Sequence, residues 1–119
     1  MLQHVSIEVL PGDVDAAVAF WGLLGFEVVE SPDPLGDYVT WVEREGTQIH
    51  LIHTDGATVP VLGHAAVVVE EFEATIARVA DAGHEVEETR DLWGARRAFA
   101  VGPGGHRVEL MAAPPAPSR

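Results

Sequence analysis

Apolar and polar residues alternate from Gln3 to Val9, so that Val5, Ile7 and Val9 share one face of an extended segment and His4, Ser6 and Glu8 the other. The period then lengthens. Val14, Ala17, Val18, Trp21 and Leu24 recur at helical spacing, with Asp13 expected as the N-cap and Gly25 as the residue just past the helix. Phe72, Ile76, Val79 and Ala80 form a second helical stripe that stops at Gly83. Strands are predicted over residues 2–9, 26–30, 38–44, 47–53, 64–69, 84–89, 96–101 and 106–112. Turn signals separate them: Ser31-Pro32, Pro34, Glu45-Gly46, Asp55-Gly56 and the stretch Gly102–Gly105.

The pattern occurs twice. HVSIEVLPGDVDAAVAFWGLLGFEVVE (residues 4–30) and HAAVVVEEFEATIARVADAGHEVEE (residues 64–88) both run from a histidine through a strand and a glycine-stopped helix into a short strand. Two further strands follow each copy. The expected fold is α+β: two tandem β-α-β-β-β modules, about 2–54 and 63–112, forming a curved mixed sheet around a cleft within one domain, 1–112. The proline-rich tail 113–119 is expected to fray.

Sorting each strand by face isolates a set of polar residues. His50 lies opposite Ile49 and Leu51, His64 opposite Ala65 and Val67, and Glu109 opposite Val108 and Leu110. The aliphatic faces are what the helices require, so His4, His50, His64 and Glu109 all point away from them. The spacing is nearly symmetric: 46 residues from His4 to His50 and 45 from His64 to Glu109. If the sheets curve towards each other, four ligand-competent groups meet. Imidazole and carboxylate suit one divalent ion, Zn, Ni, Fe, Co or Mn. His4 and Glu8 make a weaker pair, because residues four apart in a strand stand about 13 Å apart. His53, His84 and His106 are read as structural or surface residues.

Composition narrows the functions. The chain has 119 residues and a mass of 12.7 kDa, enough for one modest core. Seven basic against nineteen acidic residues leave a net charge of −12, which repels phosphate backbones and anionic lipids, so neither nucleic acid nor a membrane is an expected partner. Absence of cysteine excludes a disulfide scaffold, a thiolate metal site and a cysteine nucleophile. MLQHVSIEVL lacks the basic region of a signal peptide, and a cytoplasmic location is expected. Trp93, in the loop before the seventh strand, is a candidate for stacking on a planar substrate; Arg96 or Arg97 is a candidate for its carboxylate, and Tyr38 for lining the cleft beside Thr40.

The segments QHVSIEV, AFWGLLGFEVV, QIHLI, GHAAVVVE and GGHRVELM together resemble the vicinal oxygen chelate superfamily, the glyoxalase/bleomycin-resistance/dioxygenase proteins, over Gln3 to about Ala112. The resemblance implies a homodimer, a small-molecule substrate and a metal ion held at His4, His50, His64 and Glu109, where it would chelate neighbouring oxygens and stabilise developing negative charge. Lyase, isomerase and dioxygenase chemistry all fall within it. Glyoxalases resembling this pattern usually carry glutamate where this chain has His50, which leaves Glu109 as the only inner carboxylate and candidate catalytic base. Fosfomycin-resistance transferases have a lysine-rich region, and the second half of this chain has no lysine. A second reading is a resistance protein that sequesters an antibiotic or another aromatic ligand, as bleomycin-resistance members do.

Overall fold

The computed structural model describes residues 1–115; residues 116–119, within the tail predicted to fray, lie outside the described residues. The chain divides into two compact units, Met1–Val59 and Pro60–Arg119. The first contains β1 (His4–Val9), α1 (Val14–Leu23), β2 (Glu27–Val29), β3 (Val39–Arg44) and β4 (Thr47–His53). The second repeats the order with β5 (Ala65–Val68), α2 (Phe72–Asp81), β6 (Glu85–Thr89), β7 (Arg97–Val101) and β8 (Arg107–Met111). Each unit is thus a β-α-β-β-β module with a four-stranded mixed sheet, ordered β1-β4-β3-β2 in one and β5-β8-β7-β6 in the other. In both, the first and last strands pair in parallel and the rest antiparallel.

The helices bury the stripe that a 3.6-residue period demands, though not quite the one expected. In α1 the buried residues are Ala17, Phe20 and Trp21, followed by Leu24 at the cap; Val14 and Val18 are only half-buried at its flanks. In α2 they are Phe72, Thr75 and Val79, with Ile76 half-buried and Ala80 exposed. Thr75 takes the place expected of Ala80 because residues 72, 75, 76 and 79 complete one helical face.

Asp13 does not cap α1 through its side chain. A 3₁₀ turn over Pro11–Asp13 leads into the helix, and its Asp13 N–H donates to Leu10 O at 2.8 Å. That turn leaves Asp13 with helical dihedrals, φ −101° and ψ −1°, rather than the extended backbone from which an N-cap side chain reaches back.

Both helix ends are closed alike. Gly25 N–H donates to Gly22 O at 3.1 Å and Phe26 N–H to Trp21 O at 3.1 Å; Gly83 and His84 repeat this onto Ala80 and Val79 at 2.9 and 3.3 Å. These are Schellman motifs, which need a left-handed residue past the cap, and Gly25 and Gly83 supply it at φ +92° and +96°. Trp21 and Phe26, ring centroids 5.2 Å apart, provide the apolar contact that accompanies the first motif. Val42, Leu51, Ala98, Ala100 and Leu110 are fully buried on the helix-facing sides of the sheets, as is Val79 on α2. No helix is long and apolar enough to cross a membrane.

Candidate functional site

In the first unit, strand register assembles one polar face. His4 lies beside Gln48 and Ser6 beside His50, while Trp41 and Glu43 on β3 oppose His50 and Gln48. The His4 and His50 rings stack at 3.9 Å between centroids, and Trp41 stacks on His50 at 4.4 Å and 4°. Gln48 donates to Glu43 Oε1 at 2.8 Å, which turns its own Oε1 towards His50 Nε2 at 2.7 Å. His50 therefore donates through Nε2 and keeps its lone pair on Nδ1. Burial first, and then the charge of His4, hold the His50 imidazole below its ordinary pKa, favouring the neutral, ligand-competent form. A depression of about 320 Å³ lined by Glu30, Ser31, Pro32, Asp33 and Trp41 borders the stack.

His53 stands on the other face, its Nε2 2.8 Å from Thr40 Oγ1. Thr40 is in register with Leu51, so it does not share a wall with His50. Tyr38 precedes β3 on a turn and is 62% exposed. Glu8 accepts the backbone N–H of Thr58 at 3.0 Å.

In the second unit the pair is closer. His64, just before β5, donates Nδ1–H to Leu62 O at 2.9 Å and turns Nε2 to within 3.1 Å of Glu109 Oε1. Glu109 is buried, and Arg97 Nη1 donates to its Oε2 at 3.3 Å. Register explains the meeting: Ala66, Glu109 and Phe99 lie side by side across β5, β8 and β7, and Arg97 follows one step along beside Met111.

The arginine at this face is Arg97. Arg96 faces the other way: both oxygens of Glu88 grip its guanidinium at 2.7 Å, Glu73 pairs with it, and it lies over the Phe72 ring. These carboxylates push the Arg96 pKa up, and the Arg96 guanidinium in turn holds Glu88 below the usual carboxylate range. Trp93 is fixed by its loop, where Asp91 Oδ1 accepts the backbone N–H groups of Trp93, Gly94 and Ala95 at 3.0, 2.6 and 3.1 Å. Its indole lies under Arg97, 4.9 Å from the guanidinium carbon, and its Nε1 is buried without an acceptor among the described residues. The position of Arg97 was open to alternation counted from Phe99, once β7 was paired with β8. Gln48 and Trp41 carried no chemical signature that alternation alone would single out.

Among the described residues no three His, Asp or Glu side chains stand grouped to hold a metal ion; each unit presents two of the four expected ligands.

Comparison with known proteins bears on the fold and the family. The family model of the Glyoxalase/Bleomycin resistance protein/Dioxygenase superfamily matches residues 2–110. No curated protein matches the chain. Among solved structures, a glyoxalase family protein from Bacillus anthracis is similar at TM-score 0.84 and 23% identity, covering 93% of each chain. A glyoxalase family protein from Enterococcus faecalis matches at TM-score 0.73 and 25% identity, over 93% of this chain and 96% of that one. A variant of the fosfomycin resistance protein FosX from Listeria monocytogenes, complexed with Mn(II) and 1S,2S-dihydroxypropylphosphonic acid, matches at TM-score 0.78 and 22% identity, over 96% and 90%.

Proposed function

Since the chain belongs to the glyoxalase/bleomycin resistance/dioxygenase superfamily, we propose that it is a divalent-metal-dependent enzyme acting on a small oxygenated molecule, with His4, His50, His64 and Glu109 as the ligands. One observation carries the reading. Both nitrogens of His64 face acceptors, Leu62 O and Glu109 Oε1. A carbonyl cannot donate, so Nδ1 holds the hydrogen, and Nε2 and Oε1 at 3.1 Å need a cation between them, either a second proton or a metal ion. Bonds of about 2.0–2.2 Å from one ion to a histidine nitrogen and a carboxylate oxygen set those atoms roughly 2.9–3.4 Å apart. Anchoring of a ligand imidazole through its other N–H is also how proteins orient metal-binding histidines.

Three imidazoles and one carboxylate suit Zn, Ni, Fe, Co or Mn. When bound, the ion would polarise adjacent substrate oxygens as a Lewis acid. The chain's own residues do the rest. Gln48 and Leu62 O fix the tautomers of His50 and His64, and Arg97 holds Oε2 of Glu109 so that Oε1 faces His64. Glu109 is the one carboxylate of the set and so the proton acceptor the set supplies.

The test is metal content of protein purified without a histidine tag or added metal. Close to one equivalent of transition metal is expected, falling most with Glu109→Gln and unchanged with His84→Gln. Less than half an equivalent in the unaltered protein would transfer the assignment to a ligand-sequestering protein, and equal loss from both substitutions would mean that the ligands are misassigned.

A further inference from the structure

We propose that Arg97 and Arg107, either side of Phe99 on the sheet face that carries Glu109, form a subsite for the carboxylate of a small aromatic acid. The subsite lies wholly within the second unit. It deepens the enzymatic reading by naming a substrate class, but its geometry depends on no metal ion.

Charge pairing is the first argument. The chain carries nineteen acidic residues against seven basic ones, so an arginine here has an abundance of carboxylates to choose from. Arg96 takes two. Arg107 makes no ion pair among the described residues; its guanidinium lies over the Phe99 ring at 4.3 Å instead. Arg97 spends Nη1 on Glu109 and Nε on Arg90 O, which leaves Nη2 without a partner among the described residues. Glu85 and Glu87 of β6 stand in register on this same face, and yet among the described residues the only carboxylate paired with either guanidinium is Glu109, held by Arg97.

The second argument is the row in which these groups stand. Trp93, Arg97, Phe99 and Arg107 alternate ring and cation, with guanidinium carbons 4.9, 6.0 and 4.3 Å from the neighbouring ring centroids. A guanidinium stacked on a ring keeps its N–H groups directed outward in its own plane, the geometry that meets both oxygens of a carboxylate. Trp93 Nε1 is a further buried donor lacking an acceptor, and such groups are rare in folded proteins. Three sets of donors in one row are unspent, and all require an anion or another acceptor.

The third argument selects an aromatic body. Strand register surrounds Glu109 with Ala66, Phe99 and, one step along, Val68 and Met111. Val68 is 41% exposed. A flat apolar molecule can lie on this floor with its carboxylate at the arginines.

The experiment uses full-length, tag-free protein stripped with EDTA, titrated by calorimetry with 2-naphthoate, the neutral isostere 2-naphthalenemethanol, and acetate. Naphthoate is expected to bind at least tenfold more tightly than either of the others. Arg107→Gln should weaken it about tenfold, as should Arg97→Gln, whereas Arg78→Gln, which removes the same charge from α2, should not. Arg107 makes no ion pair among the described residues, so its variant tests the idea even if Arg97→Gln fails to fold. With three tryptophans the indole N–H signals are separable by NMR, and the one lost in Trp93→Phe should move downfield on binding. Equal affinity for acid and alcohol, unaltered affinity in both glutamine variants, or no binding at 10 mM naphthoate would overturn the subsite. Because the protein is metal-free, none of these results alters the metal measurement, and either reading can fail alone.

Discussion

His50 joins more of the first unit's polar face than any other residue there, stacked between His4 and Trp41 and tied through Gln48 to Glu43. Its depressed pKa has a definite consequence for metal-free protein. Above the unfolded value of about 6.5 the ring is neutral in both states and contributes nothing to pH dependence. As pH falls below that value the unfolded chain takes the proton first, so stability declines until the folded-state pKa is passed. An NMR titration should place the His50 midpoint below 6.5, and His4→Ala should raise it by removing a like charge. A midpoint that ignores position 4 would mean that burial acts alone. Alternation made the faces of His50 and Glu109 legible in the sequence, since a strand residue's face follows from parity. It did not separate Arg96 from Arg97. Neighbours in a strand point to opposite faces, and only the pairing of β7 with β8 decides which of the two meets Glu109.

At the scale of elements, strands and helices were legible because apolar period and glycine stops agreed at every step. The entry to α1 was not, because Pro11 and Asp13 fit a 3₁₀ turn as well as a capped start, and the choice depends on backbone hydrogen bonding. Tyr38 is expected on a strand face with Thr40, but the turn over Leu35–Asp37 leaves it before β3, where parity no longer applies. The two helix exits permit a matched comparison. Alanine at either glycine must adopt a left-handed backbone, costing about 1–2 kcal/mol. At Gly83 a Cβ meets nothing within 4 Å, whereas at Gly25 it reaches Arg44 Cδ and Nε at 3.4 Å. Urea unfolding should therefore show Gly25→Ala at least as destabilising as Gly83→Ala, both by about 1–2 kcal/mol. A cost near zero at both would remove the Schellman motifs from any account of where the helices stop.

For the molecule as a whole, charge is the dominant quantity. A net −12 on 119 residues makes the folded chain repel itself, and screening relieves that repulsion within a Debye length of about 8 Å at 0.15 M salt. Calorimetry should show Tm rising between 10 and 300 mM NaCl, by roughly 4 °C for each kcal/mol of repulsion removed. A fall would show that the ion pairs of Arg96 and Arg97 outweigh the general repulsion. The parallel pairing of first with last strand adds a constraint of timing. His4 and His50 sit on β1 and β4, and Glu109 of the other pair on β8 beside β5, so each pair spans nearly its entire module. A helix can form from neighbours along the chain; these pairs cannot, because each closes a loop of more than forty residues whose entropy is recovered only when the outer strands dock. Juxtaposed donors are thus the last feature a folding module acquires. A strand peeling from the sheet edge would remove them first, with both helices still intact.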